Sequence, residues 1–484
     1  MLKPSLIPAR LVSGRASVRG APGIAIEGGM RIETVPQSAR VSPLAGWGRY
    51  PRIASEILSV HAPDEAAAGI AGREGVIARG LGRAYGDAAI GACGTLIMTR
   101  LDRVRSFDPA TGRIEVEAGV SLDRILRDFV PRGFFPPVVP GTRFVTVGGM
   151  IASDVHGKNH HCDGGFGAHV ETLTLMLPDG SHRTCSRERD AALFFATIGG
   201  MGLTGPILGA AFHLRPIETG WITRRTRVAT DLAAVLAGLD ATADSTYSVA
   251  WIDCLALGKD LGRGLIFRGE HASRTELTRS DRHRDPFPEA RTGRLGIPFD
   301  CAAPTLNRMT VKAFNALYYR RGAKNADGPA LVPWHNYFFP LDGLSNWNRL
   351  YGARGFLQHQ CVVPPANASS VLAEILGRVA RLGSASPLAV LKQLGPSEGM
   401  MSFPVPGYTL ALDLPATPSA FTLLDEIDRV VVATGGRLYL AKDARQSRTT
   451  FEAGYPNLAA FQALRRDLGA ERSTASHLST RLGL

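Results

Sequence analysis

The densest group of chemistry-bearing side chains in the chain lies in residues 154–161, which read DVHGKNHH. Imidazole, ammonium and carboxyl groups in one short segment can bind an anion, move a proton or hold a metal ion. The segment follows residues 140–149, PGTRFVTVGG, and glycine lets the backbone approach a ligand closely. A second glycine loop, ARGLGRAYGD, occupies residues 78–87. Together the two loops predict a buried cofactor that contains a diphosphate, with polar groups beside it.

Other chemistries are less well supported by the same residues. His156 and His160 are four residues apart, but Gly157 disfavours the helix that would align them, and no second cluster completes a metal site. Residues 200–205 match G-x-G-x-x-G, yet a helical pattern precedes them and a strand-like run follows. A dinucleotide-binding loop needs the opposite order. We therefore expect no metal, and a tight turn with close helix–sheet packing at 200–205.

The elements that must position these loops are short strands and helices. Residues 113–118 alternate polar and apolar side chains, as a half-buried strand does, and residues 170–177 form a second strand-like run. Ser121 is a good N-cap for a helix with apolar side chains at helical spacing. Residues 274–291 combine charge and proline without periodicity and predict a mobile surface loop. Residues 436–441 predict a late strand, which a helix follows.

Composition limits the class of protein. The chain has 484 residues, 45% hydrophobic and 20% charged, as expected for a soluble globular protein of two or three domains. It contains no apolar run of about 20 residues and no secretory leader, so we expect a cytoplasmic location or one peripheral to the inner membrane. Six scattered cysteines predict free thiols. The net charge of +12 fits either solubility or an anionic partner, but no nucleic-acid-binding module is recognisable.

Three motifs in fixed order carry a family resemblance: ARGLGRAYGD at 78–87, PGTRFVTVGGMIASDVHGKNHH at 140–161 and ATIGGMGLTGPI at 196–207. They resemble the vanillyl-alcohol-oxidase/PCMH-type flavoenzymes. Within that superfamily, residues 45–484 are similar to the decaprenylphosphoryl-β-D-ribose 2-oxidase family, the flavin half of a ribose-to-arabinose epimerase. The chain departs from mycobacterial members at Phe338, Thr409 and Ala411, where those carry tyrosine, asparagine and cysteine.

The resemblance implies an α+β fold, in which a two-part PCMH-type FAD-binding domain receives an inserted α+β substrate domain with an antiparallel sheet flanked by helices. Residues 1–44 would be a flexible extension and 45–220 the first part of the FAD domain. Residues 221–435 would form the substrate domain, with a mobile loop at about 270–300. Residues 436–484 would complete the FAD domain.

The resemblance also implies the cofactor site. FAD would be held without a covalent bond, since Tyr85 stands where many relatives carry a flavin-linked histidine. The residues expected to bind FAD are Arg79, Gly80, Leu81, Gly82, Arg83, Ala84, Tyr85, Gly86, Asp87, Gly141, Thr146, Val147, Gly148, Gly149, Ser153, His156, Ile207, Tyr439 and Lys442.

The implied reaction is oxidation of the C2 hydroxyl of a polyprenylphosphoryl-β-D-ribose to a 2-keto sugar, with the hydride passing to FAD. His156, Lys442 and Tyr85 would be catalytic. Lys158, Gln358, Gln360, Lys392 and Phe338 would bind substrate. A separate NAD(P)H-dependent reductase would reduce the keto sugar, and peripheral contact with a membrane is expected. Two alternatives remain open: an aldonolactone or sugar-alcohol oxidase of the same superfamily, and a flavin-binding protein without turnover.

Overall fold

The first half of the chain builds two small sheets, a further pair of short antiparallel strands and the loops between them. The computed structural model describes residues 40–280, 285–290, 295–301, 306–326, 328–383 and 388–484. The strands of its first part are β1 (Arg40–Ala45), β2 (Arg52–Ser59), β3 (Val76–Arg79), β4 (Gly94–Ile97), β5 (Val104–Phe107), β6 (Arg113–Glu117), β7 (Phe134–Phe135), β8 (Val170–Met176), β9 (His182–Ser186), β10 (Ile207–His213) and β11 (Arg215–Pro216). The helices of this part are α1 (Pro63–Ile70), α2 (Leu122–Phe129), α3 (Val147–Ala152), α4 (His160–Asp163) and α5 (Ala191–Thr197).

The two sheets of this half differ in pairing. A four-stranded sheet has the order β1-β2-β4-β3, in which β4 is parallel to both β2 and β3. A five-stranded antiparallel sheet has the order β5-β6-β10-β8-β9. In β6 the side chains of Ile114 and Val116 are fully buried, which confirms the alternating pattern. The Ser121 side chain accepts from the Arg124 N–H and caps α2, as predicted.

The second half of the chain is organised around a larger sheet. Its strands are β12 (Trp221–Ala229), β13 (Tyr247–Ile252), β14 (Gly264–His271), β15 (Leu295–Gly296), β16 (Pro329–Pro333), β17 (Leu344–Ser345), β18 (Phe356–Val363), β19 (Ala389–Leu394), β20 (Gly407–Pro415) and β21 (Arg437–Leu438). Its helices are α6 (Leu232–Asp240), α7 (Arg274–Ser280), α8 (Arg308–Lys324), α9 (Trp334–Phe338), α10 (Ala368–Leu382), α11 (Pro418–Ala433), α12 (Arg448–Gly454), α13 (Leu458–Asp467), α14 (Ala470–Ser473) and α15 (His477–Leu482).

Eight strands pair in the order β16-β12-β14-β13-β19-β20-β18-β21. The helices α6, α10 and α11 pack on one face, where α10 buries Val371, Leu372, Ile375 and Val379 at helical spacing. A sheet that is covered on one face has its other face available to line a site. The antiparallel sheet flanked by helices and the α+β class are as predicted.

The C-terminal segment returns to the first half. The side chains of Phe461, Leu478 and Leu482 share a buried cluster with Ile77 and Ala88 from the first-loop region. The backbone of Thr474 also bridges to Val76 of β3. Residues 39–484 form one compact unit, so the boundaries at 220 and 435 stay predictions.

Three expectations about secondary structure need correction. The predicted extension over residues 1–44 lies mostly outside the described residues, but residues 40–44 belong to β1. The predicted loop begins with a helix, α7, because Glu276 accepts from the Ser273 N–H and so stabilises the first turn; residues 281–284 and 291–294 lie outside the described part. The strand predicted at 436–441 is reduced to β21, since the chain turns at Tyr439.

Element order and cysteine state can also be compared with the sequence predictions. Helix α5 precedes residues 200–205 and strand β10 follows them, so the order is the reverse of a dinucleotide-binding loop. All six cysteines are free. Among the described helices, none has the length and apolar character needed to cross a membrane.

Candidate active site

A cavity of about 470 Å³ lies between the two glycine loops and the open face of the eight-stranded sheet. The first loop contributes residues 79–85, and the second contributes residues from Val139 to Lys158. The sheet contributes side chains from β13, β18, β19 and β20. The cavity wall therefore combines segments from both halves of the chain. It forms only when these segments, which are distant in the sequence, are packed together.

The first loop is fixed from behind by the rest of the protein. The Arg79 guanidinium donates to the carbonyl oxygens of Ala45 (2.7 Å) and Ala89 (3.1 Å). The Tyr85 N–H donates to the Ala441 carbonyl at 2.9 Å, which ties the loop to the C-terminal segment. Gly82 has φ of 65°, a left-handed conformation that glycine adopts without strain. These constraints hold the loop open along the cavity.

The second loop is held by a carboxylate that the sequence interpretation missed. Asp342 accepts from the Thr142 hydroxyl at 2.8 Å and from the Arg143 N–H at 2.9 Å. Thr146 then caps α3 by accepting from the Gly149 N–H. A Cβ at Gly141 would meet no atom within 4 Å, so its surroundings in the cavity wall are open. The space beside the loop suits a large flat ligand.

His156 lies at the centre of the cavity wall and has a defined tautomer. The Gln360 Nε2 atom is 2.8 Å from His156 Nε2 and 3.1 Å from Thr409 Oγ1. Because the amide nitrogen can only donate, His156 Nε2 accepts and the proton sits on Nδ1. Burial, together with Lys392, His160 and Lys442, holds the pKa of His156 well below its usual value. His156 is therefore a neutral ring.

The cavity wall itself provides the test of whether a bound group fits. A Cβ at Gly141 meets no atom within 4 Å, so the second loop leaves room for a large ligand. Lys158, Lys392 and Lys442 line the same cavity and can donate to an anion. These features fit FAD, which carries a diphosphate, and a sugar phosphate.

Three lysines that line the cavity, each only partly exposed, make part of its wall cationic. The Lys158 ammonium donates to the carbonyl oxygens of Tyr337 (2.9 Å) and Phe338 (3.2 Å). Burial lowers the pKa of Lys158 to about 7, with a contribution from Lys392, whose own pKa burial lowers to about 8. Burial also lowers the pKa of Lys442 to about 7, and its Nζ lies 3.9 Å from the centroid of the Tyr85 ring. Three such groups would attract an anionic ligand.

A carboxylate balances this charge. Gln358 on β18 faces Asp413 on β20 in register, and the Gln358 amide donates to Asp413 Oδ1 at 2.6 Å. Burial raises the pKa of Asp413 to about 7, although the Gln358 hydrogen bond and the Lys442 charge both oppose the shift. Burial and Asp413 raise the pKa of Tyr85 well above its usual value, so Tyr85 stays neutral. Asp413 and Lys442 thus titrate in the same range.

Part of the cavity wall is apolar. Val249 and Trp251 on β13, Phe267 on β14 and Val390 on β19 line this part, which we call the apolar arm. One cation lies beside it, since the Arg224 guanidinium is 5.7 Å from the centroid of the Phe267 ring. The Trp251 ring lies 4.7 Å from the Tyr318 ring of α8, which also lines the cavity. A ligand that fills the whole cavity must therefore offer both polar or anionic groups and apolar groups.

The structure brings most of the predicted site residues to this cavity. Those that line it are Arg79, Gly80, Leu81, Gly82, Arg83, Ala84, Tyr85, Gly141, Thr146, Gly148, Gly149, Ser153, His156, Lys158, Ile207, Phe338, Gln358, Gln360, Lys392, Tyr439 and Lys442. Three predicted residues do not line it: Gly86, Asp87 and Val147. A Cβ on Gly86 would lie 2.0 Å from the Asp443 carbonyl oxygen, Asp87 accepts from Arg481, and Val147 is fully buried at the start of α3. These three support the loops from behind.

The sequence interpretation missed Asp413, Asp342 and the residues of the apolar arm. Asp413 was detectable, because it lies two positions beyond Ala411 in a strand-like run and so shares its face. The residues of the arm carried no signal, because apolar side chains on strands are the normal content of a core. Among the described residues no group of three or more His, Cys, Asp or Glu side chains is placed to hold a metal ion.

We predict that Gly141→Leu will weaken FAD binding about tenfold, because the added side chain enters the cavity. The backbone of Gly141 is not left-handed, so the fold should tolerate leucine. Fluorescence titration of the apoprotein with FAD measures the change. Gly343→Leu is the matched control, since a Cβ there also meets no atom within 4 Å but Gly343 lies outside the cavity wall. Equal FAD affinities for the two variants would contradict the placement.

Comparison with known proteins identifies the family. The family described as FAD binding domain matches residues 66–186. A Mycolicibacterium smegmatis protein named decaprenylphosphoryl-beta-D-ribose oxidase is 38% identical over 451 residues, which cover 91% of this chain and 97% of the relative. An uncharacterized Streptomyces coelicolor protein is 34% identical and covers 75% of this chain and 100% of its own length. Mouse L-gulonolactone oxidase is 31% identical over 25% of this chain and 27% of its own.

These matches confirm the predicted cofactor, fold class and kind of reaction. The matched FAD-binding segment contains the first glycine loop and the run 154–161, and the long relative extends the similarity across the sheet that completes the cavity. The chain belongs to the decaprenylphosphoryl-β-D-ribose oxidase family and is an FAD-dependent oxidoreductase with a PCMH-type FAD-binding fold.

Proposed function

We propose that the protein oxidises the C2 hydroxyl of a polyprenylphosphoryl-β-D-ribose to the 2-keto sugar. This reaction is the first half of an epimerisation that supplies an arabinose donor for cell-envelope glycans. One observation carries the proposal: a single cavity is lined both by three lysines with lowered pKa values and by the apolar arm. A phosphate on a sugar suits the lysines, and a prenyl chain suits the arm. The relative's name supports the same substrate.

The roles of the side chains follow from their hydrogen bonds. FAD, when bound, would accept the hydride that leaves the carbinol carbon, and the proton of the hydroxyl would pass to a base or to solvent. His156 lines the cavity as a neutral ring, held by Gln360. Gln360 uses its amide N–H groups on His156 and Thr409, and Gln358 uses one on Asp413. The amide oxygens of both glutamines are then directed to accept from sugar hydroxyls. Lys158 and Lys392 bind the phosphate.

The decisive experiment is anaerobic mixing of the FAD-loaded protein with farnesylphosphoryl-β-D-ribose. We expect the flavin absorbance to bleach within the time of mixing or shortly after, and the product to carry a keto group at C2. Bleaching by a free sugar or an aldonolactone, but not by the prenyl phosphate, would reject the proposal. That result would favour the aldonolactone or sugar-alcohol oxidase alternative, whose substrates have no prenyl chain to occupy the apolar arm. An absence of bleaching by every substrate would favour a flavin-binding protein without turnover.

The proposal includes a partner and a mode of flavin binding. A separate NAD(P)H-dependent reductase must reduce the keto sugar to complete the epimerisation. The protein works at the surface of the membrane that holds its substrate. FAD is bound without a covalent link in this proposal, because Tyr85 stands in the first glycine loop where many relatives carry a flavin-linked histidine. Acid precipitation should therefore release all of the flavin into the supernatant.

We predict a bell-shaped pH dependence of kcat/KM with its maximum near pH 7. Asp413, with a pKa of about 7, ionises as the pH rises, and its carboxylate then accepts a stronger hydrogen bond from the Gln358 amide. Lys158 and Lys442, also with pKa values of about 7, lose their charge over the same rise, which weakens phosphate binding. Asp413→Asn cannot ionise, so we expect a flat acid limb and a kcat/KM about fivefold lower at the maximum. Initial rates between about pH 5.5 and 8.5 measure both effects. An unchanged acid limb would contradict the role of Asp413.

A further inference from the structure

Helix α8 exposes an apolar strip to solvent. Phe314, Leu317 and Tyr318 are 45%, 67% and 39% exposed. Their spacing of three and four residues places them side by side on one flank of the helix. Single exposed apolar residues are ordinary, but a contiguous group of large ones marks a surface that contacts something else. The strip is therefore a candidate for an interaction surface.

The adjacent flank of α8 fixes the strip in place. Val311 is buried in the core of the second half, and the Asn315 amide donates to Asp253 Oδ1 at 2.8 Å. A Cβ on Gly322 would lie 2.1 Å from Leu265 Cδ1, so the helix sits directly against β14. Because α8 is anchored in this way, its exposed flank cannot turn inward to bury the strip.

The strip is continuous with the apolar arm of the cavity. Tyr318 lines the cavity, with its ring 4.7 Å from that of Trp251. On its other side the Tyr318 ring stacks on Phe314 at 5.8 Å between centroids. An aromatic path thus leads from the interior of the cavity to the surface strip.

The charge of α8 suggests the partner. Its sequence, RMTVKAFNALYYRRGAK, has no acidic residue, and five basic side chains are exposed: Arg308, Lys312, Arg320, Arg321 and Lys324. Basic residues around a strip of Phe, Leu and Tyr are the combination by which a helix lies in the interface of an anionic bilayer. The observations favour a bilayer.

We propose that α8 docks on an anionic lipid bilayer, with Phe314, Leu317 and Tyr318 at the boundary between headgroups and acyl chains. The apolar arm then opens into the membrane, and a prenyl chain passes along Tyr318 without crossing water. The part concerning the prenyl chain rests on the proposed function. The docking itself does not, because it depends only on the surface of α8.

Co-sedimentation of the FAD-loaded protein with substrate-free vesicles tests the docking. Vesicles of phosphatidylglycerol and phosphatidylcholine should bind the protein at least tenfold more tightly than phosphatidylcholine alone, and added salt should weaken the binding. The double variant Phe314→Ser/Leu317→Ser should bind the anionic vesicles about tenfold more weakly. Met309→Ser is the matched control. Met309 is 82% exposed on the same helix but about 140° around it from Phe314, so this variant should bind like the wild type.

The flavin absorbance and the unfolding temperature of each variant report folding, since all three substituted residues are exposed. Equal binding to neutral and anionic vesicles would overturn the proposal. The proposal would also be overturned if the double variant Phe314→Ser/Leu317→Ser bound anionic vesicles as tightly as the wild type does. It would be overturned equally if Met309→Ser weakened that binding as much as the double variant does. Failure of farnesylphosphoryl-ribose to bleach the flavin in detergent would reject the proposed function and leave the vesicle result standing, so the two can fail separately.

Discussion

Replacing Lys442 with methionine will lower the rate constant of anaerobic flavin reduction by about 10²–10³. The Lys442 ammonium lies in the cavity wall over the Tyr85 ring, and burial lowers its pKa to about 7. A fixed charge in such a place stabilises negative charge that develops nearby far more than the same charge in water does. Methionine fills a similar volume without the charge, so the fold and the cavity should be retained. Stopped-flow absorbance of the flavin measures the rate.

The pH dependence separates this electrostatic role from simple packing. Burial lowers the pKa of Lys442 to about 7, Lys392 lowers it further and Asp413 opposes the shift. The charged fraction therefore falls as the pH rises through 7, and the wild-type rate should fall with it. The methionine variant should lack this alkaline limb, whereas Lys442→Arg should retain charge at every pH tested. Lys259→Met, at an exposed turn, is the control and should leave the rate unchanged. A Lys442→Met variant altered only in KM would contradict the assignment.

The contrast between Lys442 and Asp413 shows how far sequence reasoning could go. Alone, a lysine after a short terminal strand looks like a surface residue, and only the family resemblance indicated Lys442. The face of Asp413 could be read from its strand, but its pairing with Gln358 joins residues 55 positions apart, and no local pattern encodes that pairing. The glycine loops were predictable, because they are local and their residue types are constrained by the ligand. The cavity that they complete was not predictable from them.

Helix α7 illustrates a different limit. Its charged sequence lacks an apolar stripe, so periodicity predicted a loop. The helix instead begins with Glu276 accepting from the backbone and hydroxyl of Ser273 and from the Thr223 hydroxyl on β12. A contact with a distant strand thus decided the local structure. The exposed strip of α8 was not predicted for a related reason. Phe, Leu and Tyr at helical spacing normally form part of a core, and only the packing of α8 on β14 shows that these three are exposed.

Replacing Arg481 with methionine will destabilise the protein by about 3 kcal/mol. The Arg481 guanidinium donates to Asp87 Oδ1 at 2.9 Å and to Asp443 Oδ2 at 3.0 Å. Both carboxylates have side chains only 5% exposed, so removal of the cation leaves two buried like charges close together. Burial alone would raise the pKa of Asp443, but Arg481 and the N–H groups of Arg445 and Gln446 hold it below its usual value. Thermal and denaturant unfolding measure the loss.

This cluster also supports the cofactor site from behind. Asp87 is the last residue of the first glycine loop, and Asp443 directly follows Lys442 in the cavity wall. We therefore expect the Arg481→Met variant to retain less FAD after desalting, and added FAD to recover part of its unfolding temperature by binding the folded state. Without Arg481 the pKa values of the two carboxylates rise in the folded protein. The variant then loses stability as the pH rises through these raised pKa values. Its loss of unfolding free energy relative to the wild type should therefore be smaller at about pH 5 than at about pH 8.

Arg378→Met is the matched control for the cluster. Arg378 also pairs with two carboxylates, Glu374 and Glu426, but on the surface, where water and salt screen the interaction. We expect no change in its unfolding temperature or in FAD retention. Equal destabilisation by the two substitutions, or a deficit in Arg481→Met that does not vary with pH, would show that the Asp87–Arg481–Asp443 cluster does not hold the cofactor loop. A selective, pH-dependent loss would place the C-terminal helix among the elements that maintain the FAD site.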